Sequence, residues 1–489
     1  MTGTGRTTDR TAWSGSWVAD RLGARLVPTS GLAGLAVHDL VGMALRVNPR
    51  RSHLLVSRVL GKHVPADPAL VLGAGRLLGA LAADLLSGRD SGVPERGGRL
   101  LGEALSGDRS AADRLLPACD GPGDAGAHLD ALVLGYAETA TGLGHAVADA
   151  LGADHLHSTR RPVPGVAAVG AFEETHSHAT SHLLLPESAD LLCGPRPLVL
   201  VDDELSTGET VMNTVRAVQA HSPRDRYLVA TLVDLRSDAD RHRLDEFALR
   251  LGVRLDVVAL ATGEIHLPPD ALGRGRELVA RYGPRPVPGH ATAAPRSAVQ
   301  RAPSAARWPA AVRDGGRHGF RGGERAAFDS AVREVAAGLL PTLPVNAGMR
   351  LLVLGTEELM YLPTRIAAEL SGPVGAAGGE VLVSSTTRSP VVPVDESGYA
   401  IRTALTFGSH DRPADGPGPR YAYNVAPPAG QAPFDAVLLV VDDCSTDWGV
   451  AGRRLPDALG SAVAGPVTVL TVPSHRPGTG AGEDRSRCR

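Results

Sequence analysis

Leu198-Val-Leu-Val-Asp-Asp-Glu-Leu-Ser-Thr-Gly-Glu-Thr210 sets an apolar run, adjacent acidic residues and a hydroxyl-rich turn side by side. The four apolar residues predict a buried strand. Asp202 and Asp203 then stand at its carboxyl end, where open α/β sheets place their ligands. Ser206-Thr-Gly-Glu-Thr210 predicts a tight turn into a helix running from about Thr210 to Ala220. Gly208 lets the backbone approach an anion closely. The N–H groups of the turn and of the helix start favour a phosphate, and the hydroxyls of Ser206, Thr207 and Thr210 can add hydrogen bonds. Two carboxylates beside such a cradle suit the hydroxyl pair of a ribose. The plainer alternative is a strand–turn–helix with an acidic capping pair.

Outward from this segment, strand and helix patterns alternate from about Gly31 to Ile265. Leu132-Val-Leu-Gly135 reads as a buried strand and Thr139 to Leu151 as a helix. Ala69 to Leu86 has apolar residues at helical spacing. Tyr227 to Leu235 and Leu255 to Thr262 read as further strands, and His53 to Leu60 as a strand or a short helix. This alternation predicts an α/β fold with a mostly parallel sheet covered by helices. Residues 1–30 read as a polar tail, and 266–324 as a helix followed by a Pro/Arg/Gly-rich linker, solvated or touching an acidic partner. A second α/β domain is expected over 325–472, with a disordered tail over 473–489.

The chain has 489 residues, 43% of them hydrophobic but only 3% aromatic, so its core must be built mainly from Leu, Val and Ala. Lys62 is the sole lysine, and the net charge of −3 supplies no field for nucleic acid or membrane. Cys119, Cys193, Cys444 and Cys488 form no CxxC pair, which argues against a zinc site or disulfide framework and for a reducing cytoplasm. No signal peptide and no bilayer-spanning apolar run are read.

The two halves share landmarks in the same order. Leu134-Gly-Tyr-Ala-Glu-Thr139 matches Leu354-Gly-Thr-Glu-Glu-Leu359, Ser158-Thr-Arg-Arg-Pro162 matches Thr386-Thr-Arg-Ser-Pro390, and Val201-Asp-Asp-Glu-Leu-Ser-Thr207 matches Val441-Asp-Asp-Cys-Ser-Thr446. Three matches in order suggest an internal duplication; the alternative is two unrelated α/β domains with similar strand ends. The second copy is degenerate: one residue is missing after its aspartates, and Asp447 stands where Gly208 does, so a carboxylate would repel a phosphate there. It is expected to have lost or altered the binding of the first, and to serve a second ligand or an interface.

Four further groups are candidates for chemistry. Tyr136, Ala137, Glu138 and Thr139 join a strand to a helix in a loop rich in small residues. Arg160 and Arg161 can grip a diphosphate in bidentate fashion. Glu173, Glu174, His176, His178 and His182 form a dense polar cluster open to a site role, a metal or plain structural hydrogen bonding. The basic segment Asn48 to His63 either covers an acceptor pocket or is a basic surface on a buried strand.

Val201 to Gly208 resembles the PRPP-binding signature of type I phosphoribosyltransferases. Together with Val59-Leu-Gly-Lys-His63, Gly135 to His145 and Glu173 to His182, it resembles the phosphoribosyltransferases found with tellurium-resistance and stress operons. Thr387-Arg-Ser-Pro390 and Gly355 to Pro363 look like the TRSP domain attached to that family. The resemblance implies a phosphoribosyltransferase domain over 31–265 and a degenerate TRSP-like domain after it. It implies that Asp202 and Asp203 hold the ribose, with Glu204 beside them, and that Ser206, Thr207, Gly208, Glu209 and Thr210 hold the 5′-phosphate. Tyr136 to Thr139 would bind pyrophosphate through backbone amides. Arg160, Arg161, Glu174, His176 and His178 would serve catalysis from a mobile loop. Magnesium would bind with PRPP, touching Asp202 and Asp203 indirectly. The expected function is transfer of ribose 5-phosphate to an unidentified base-like acceptor, in a cytoplasmic protein, with a homodimer open. A non-catalytic sensor of PRPP or nucleotide is the competing expectation.

Overall fold

The computed structural model describes residues 15–48, 51–119, 129–173, 181–283, 297–409, 418–443 and 455–477. In the first half the strands are β1 (Arg25–Gly31), β2 (Val41–Leu45), β3 (His53–Ser57), β4 (Leu132–Gly135), β5 (Asp154–His157), β6 (Gly170–Glu173), β7 (Ser181–Leu184), β8 (Leu198–Leu205), β9 (Arg226–Asp234) and β10 (Arg254–His266). Six of them form one sheet in the order β1-β10-β9-β8-β4-β5. All neighbours are parallel except the edge strand β1. Leu198 to Val201 of β8 and Tyr227 to Asp234 of β9 are buried, as a sheet covered on both faces requires, while Asp202 to Glu204 of β8 are half-buried. β2–β3 and β6–β7 are separate antiparallel hairpins.

The second half adds β11 (Val299–Arg301), β12 (Arg350–Gly355), β13 (Glu380–Ser385), β14 (Ala404–Gly408), β15 (Pro419–Tyr423), β16 (Ala436–Asp442) and β17 (Val467–Val472). Its sheet runs β11-β17-β16-β12-β13, all parallel, and β14–β15 form a hairpin. The order β9-β8-β4-β5 in the first sheet therefore repeats as β17-β16-β12-β13 in the second. The repeat extends to single hydrogen bonds. Ser158 N–H donates to Gly135 O at 3.0 Å, and Thr386 N–H to Gly355 O at 3.1 Å. Ala137 N–H donates to Ser158 Oγ at 2.9 Å, and Glu357 N–H to Thr386 Oγ1 at 3.2 Å. Thr159 bridges Leu183 of β7, and Thr387 bridges Tyr421 of β15.

The halves interlock. Phe320 exchanges both backbone hydrogen bonds with His155 on the β5 edge, and Ala66 does the same with Val383 on β13. One edge of each sheet, β5 and β13, is thus bridged by a segment from the other half, which covers part of that edge. The first core takes in Val392, Tyr399, Ile401 and Tyr423 from the second half, and the second core takes in Leu72 and Ala146 from the first.

Five features differ from the sequence reading. The expected N-terminal tail contains the helix Ser16–Leu22 and β1, anchored by buried Trp17, Val18 and Leu22. The expected linker contains β11 and the fully buried Trp308, and the expected C-terminal tail is described as far as residue 477. The helix Pro68–Ser87 is long and apolar enough to cross a membrane, with a mean hydropathy of 1.7. Here it packs on the helix Thr141–Leu151, where a Cβ on Gly75 or Gly79 would come within 2.5 Å of Ala146 or Ala150. Cys193 is disulfide-bonded, against the expectation of no disulfide framework, and Cys119 is buried.

Candidate active site

The carboxyl ends of β4 and β8 open into a cleft of about 400 Å³. Its floor is Asp202 to Val211. β8 carries its ladder through the acidic residues, pairing Asp202 with Thr231 and Glu204 with Val233 on β9, so the two aspartates are fixed by sheet pairing. Asp203 N–H also donates to Asp202 Oδ1 at 3.0 Å. Burial, then the charge of Glu204, push the Asp203 carboxyl up to about 6, with Lys62 pulling the other way. Gly208 has φ 76°, and a Cβ there would meet nothing closer than Leu244 at 3.8 Å. The left-handed conformation, more than crowding, calls for glycine. It starts the helix Glu209–His221, which has no side-chain cap at this end and begins in the cleft wall.

The facing wall is the loop Tyr136 to Thr139. Its position is set from several sides. Tyr136 OH donates to Thr214 Oγ1 at 3.0 Å on the helix after β8, and burial pushes that phenol far up. Ser158 Oγ, which accepts from Ala137, lies 2.9 Å from His182 Nδ1, and His182 stacks on Phe172 at 4.8 Å. Lys62 Nζ donates to Thr139 Oγ1 at 2.7 Å and lies 3.3 Å from Glu138. Arg160 reaches Ala137 O with Nη2 at 3.2 Å.

The structure therefore gathers Tyr136, Ala137, Glu138, Thr139, Arg160, Asp202, Asp203, Glu204, Ser206, Thr207, Gly208, Glu209 and Thr210 around one cleft. Arg161 is the correction: it does not line this cleft. Its guanidinium is buried and donates to Asp442 Oδ2 at 2.6 Å, because the chain bends at Arg160 and Arg161 and sends the two side chains to different halves. Glu174, His176 and His178 lie outside the described residues. His182 is a buried support for Ser158 that also lines the cleft.

Sequence reasoning gave no role to the residues that the second half contributes. Thr387 to Pro390 and Gly418 to Tyr421 form part of the cleft wall, bringing Arg388 and Arg420. Glu357 holds both, accepting from Arg388 Nε at 2.7 Å and from Arg420 Nε at 2.6 Å. Glu358 faces the other way. It accepts from Thr159 Oγ1 at 2.7 Å and Arg160 N–H at 2.8 Å, and lies 3.3 Å from Arg317. Burial alone would raise its carboxyl, but Arg317, His157, Arg161 and Thr159 hold it down at about 2. The signal for these positions was present in the repeat, since Arg388 is the counterpart of Arg160.

No curated protein matches the chain. Among solved structures it is similar to the adenine phosphoribosyltransferase of Rhodothermus marinus, at 18% identity over 27% of this chain and 69% of that one, with a TM-score of 0.20. It is similar to the enzyme of Trypanosoma brucei in complex with AMP, pyrophosphate and ribose-5-phosphate, at 15% identity over 27% of this chain and 56% of that one, with a TM-score of 0.20. This chain thus spans little more than half of that structure's length. The enzyme of Giardia lamblia, complexed with 9-deazaadenine, is similar at 19% identity over 32% of this chain and 83% of that one, with a TM-score of 0.23. Residues 40–264, which hold the cleft floor, match the family model of a phosphoribosyl transferase, and residues 314–451, which hold Arg388 and Arg420, match that of the TRSP domain found C-terminal to it.

Proposed function

We propose that the cleft binds PRPP and transfers its ribose 5-phosphate to a base-like acceptor, releasing pyrophosphate. The observation that carries this reading is the convergence of Asp202 and Asp203, the turn Ser206 to Thr210 and the loop Tyr136 to Thr139 on one cavity. The turn and the helix start take the 5′-phosphate. The two aspartates accept from the ribose hydroxyls. The loop after β4, with Lys62 and Arg160, takes the diphosphate. The bond from the anomeric carbon to the diphosphate oxygen breaks and a bond to the acceptor forms, through an oxocarbenium-like state. Leu54, Leu55, His63 and Tyr421 line the remaining wall and offer flat and apolar faces to an acceptor.

A hard divalent cation suits the donor set. Asp202 and Asp203 offer carboxylate oxygens, and the raised Asp203 carboxyl marks a place where added positive charge is welcome. Among the described residues no three His, Cys, Asp or Glu side chains stand together as a metal site, so magnesium would take most of its ligands from PRPP. Bound there, it would neutralise charge on the departing diphosphate. A place in a tellurium-resistance or stress system rests on motif resemblance alone.

Pyrophosphate release from PRPP and magnesium, assayed with a panel of bases, tests the reading. Release with at least one acceptor supports transfer, and tight PRPP binding with no release across the panel supports the sensor instead. Asp202→Asn combined with Asp203→Asn should abolish PRPP binding, followed by calorimetry, with the circular dichroism spectrum unchanged. Unaltered affinity would remove these aspartates from the site.

A further inference from the structure

Both halves build the cleft wall beyond the sugar and phosphate positions. The segment that carries Lys62 and His63 lies against the second half. Ser384 Oγ donates to Lys62 O at 3.2 Å, Asn424 Nδ2 donates to His63 O at 2.9 Å, and Ala66 exchanges backbone hydrogen bonds with Val383. A Cβ on Gly61, at φ 60°, would meet Val383 O at 3.0 Å, so the two chains fit closely here. The second half thus holds part of the first half's wall in place and adds residues of its own.

Three rings cross this seam. His63 lies 5.8 Å from Tyr423, and Tyr423 lies 5.7 Å from Tyr421 with the two phenol rings 7° from parallel. Tyr423, in the middle, is fully buried, and its hydroxyl is committed: it accepts from Val391 N–H at 2.7 Å and donates to Ser389 O at 2.8 Å. The outer two rings line the cleft. Tyr421 is half-buried, stacked on Tyr423, and among the described residues its hydroxyl has no hydrogen-bond partner. His63 is 6% exposed, and its Nε2 has no partner either. Burial, then Lys62 and Arg46, hold this imidazole well below its ordinary range, so at neutral pH it offers one donor and one acceptor. Ser389 Oγ, in the same wall, is likewise buried and unpartnered. Unpaired buried polar atoms are costly, and several along one wall of a cavity mark where the polar edge of a ligand belongs. Leu54 and Leu55 bring apolar surface to the same cleft.

We propose that the acceptor of the first cleft is a flat heteroaromatic ring held at this seam, stacked on Tyr421 of the second half and hydrogen-bonded along its edge by His63. Stacking accepts any flat base, whereas edge hydrogen bonds discriminate between bases. The second half is then a determinant of which acceptor is used. The proposal rests on the reading of the cleft as a PRPP site.

The test measures what a base adds to the binding of its sugar phosphate. The full chain with magnesium is titrated by calorimetry with ribose 5-phosphate and, separately, with AMP, GMP, UMP and CMP. At least one monophosphate is expected to bind about tenfold or more tightly than ribose 5-phosphate. Tyr421→Ala should remove most of that gain, and Tyr421→Phe, which keeps the ring, should retain most of it. His63→Phe keeps a flat ring without the nitrogens and should cost the favoured monophosphate about three- to tenfold. Ribose 5-phosphate should stay within about twofold in all three variants. If the alanine variant fails to fold, Tyr421→Leu keeps the bulk without the π-face and is read in the same way. Unchanged monophosphate affinity in Tyr421→Ala overturns the stacking role, and in His63→Phe the edge contact. A parallel loss of ribose 5-phosphate overturns the proposal, because it marks a purely structural role. A parent chain that binds ribose 5-phosphate and gains nothing from any of the four bases overturns it and leaves the PRPP reading standing. A parent chain that binds none of these ligands overturns the PRPP reading itself.

Discussion

Asp203 is where local electrostatics and binding meet. Its carboxyl sits at about 6, raised first by burial and then by the charge of Glu204. The ionised form is therefore a cost to the empty protein at neutral pH, and that cost is relieved as pH falls through 6 towards the ordinary carboxylate range. On the proposed reading binding has the opposite sign, since ribose hydroxyls and a cation would need the ionised acceptor. PRPP affinity measured by calorimetry should hold above pH 7 and fall by about tenfold per unit once pH drops below the Asp203 value. Asp203→Asn should flatten that dependence at a low affinity. An unchanged profile in the variant would show that another group titrates. The pair Asp202–Asp203 and a glycine turn at Gly208 were legible in the sequence, because a hydrophobic strand, acids and glycine in that order have few other uses; the positive φ that calls for this glycine was not. The direction of Arg161 was not legible. Adjacent arginines read alike, and only the packed second half separates them.

At the scale of elements, runs such as Leu132–Gly135 were readable because a parallel strand buried on both faces is continuously apolar. β8 was underestimated in length: it continues to Leu205, since sheet pairing carries the ladder through polar residues that hydropathy treats as its end. Segments held by a few large side chains were missed altogether. The stretch from Val299 to Phe320 is rich in arginine, glycine and proline, yet Trp308 is fully buried against Phe328 at 5.4 Å and its Nε1 donates to Val312 O at 2.9 Å. Composition averages over such anchors. Trp308→Ala should therefore destabilise the chain by about 3–5 kcal/mol, as for other buried large-to-small changes. Thermal unfolding checks this, and a change under about 0.5 kcal/mol would return the segment to the status of a surface linker.

For the whole molecule, the duplication read from three short matches corresponds to a shared strand order and to a few hydrogen bonds at the strand ends that recur in both halves. The sequence also indicated a degenerate second copy, through Asp447 and the missing residue. What it could not convey is where the second copy's acids went, because that depends on the first copy's loop crossing the interface. Asp442 is buried between Arg161 and Arg317, so its charge is spent on joining the halves. Removing one partner of a buried pair leaves the other uncompensated, at about 3–5 kcal/mol, whereas an exposed pair contributes about 0–1 kcal/mol. Asp442→Ala should accordingly produce a loss in the first range. A loss in the second range would mean that Arg161 and Arg317 find water or other acceptors when the carboxylate goes. In that case the joint between the halves would rest on the other cross-half hydrogen bonds, such as those of Phe320 with His155 and of Glu358 with Thr159, and on their shared apolar cores.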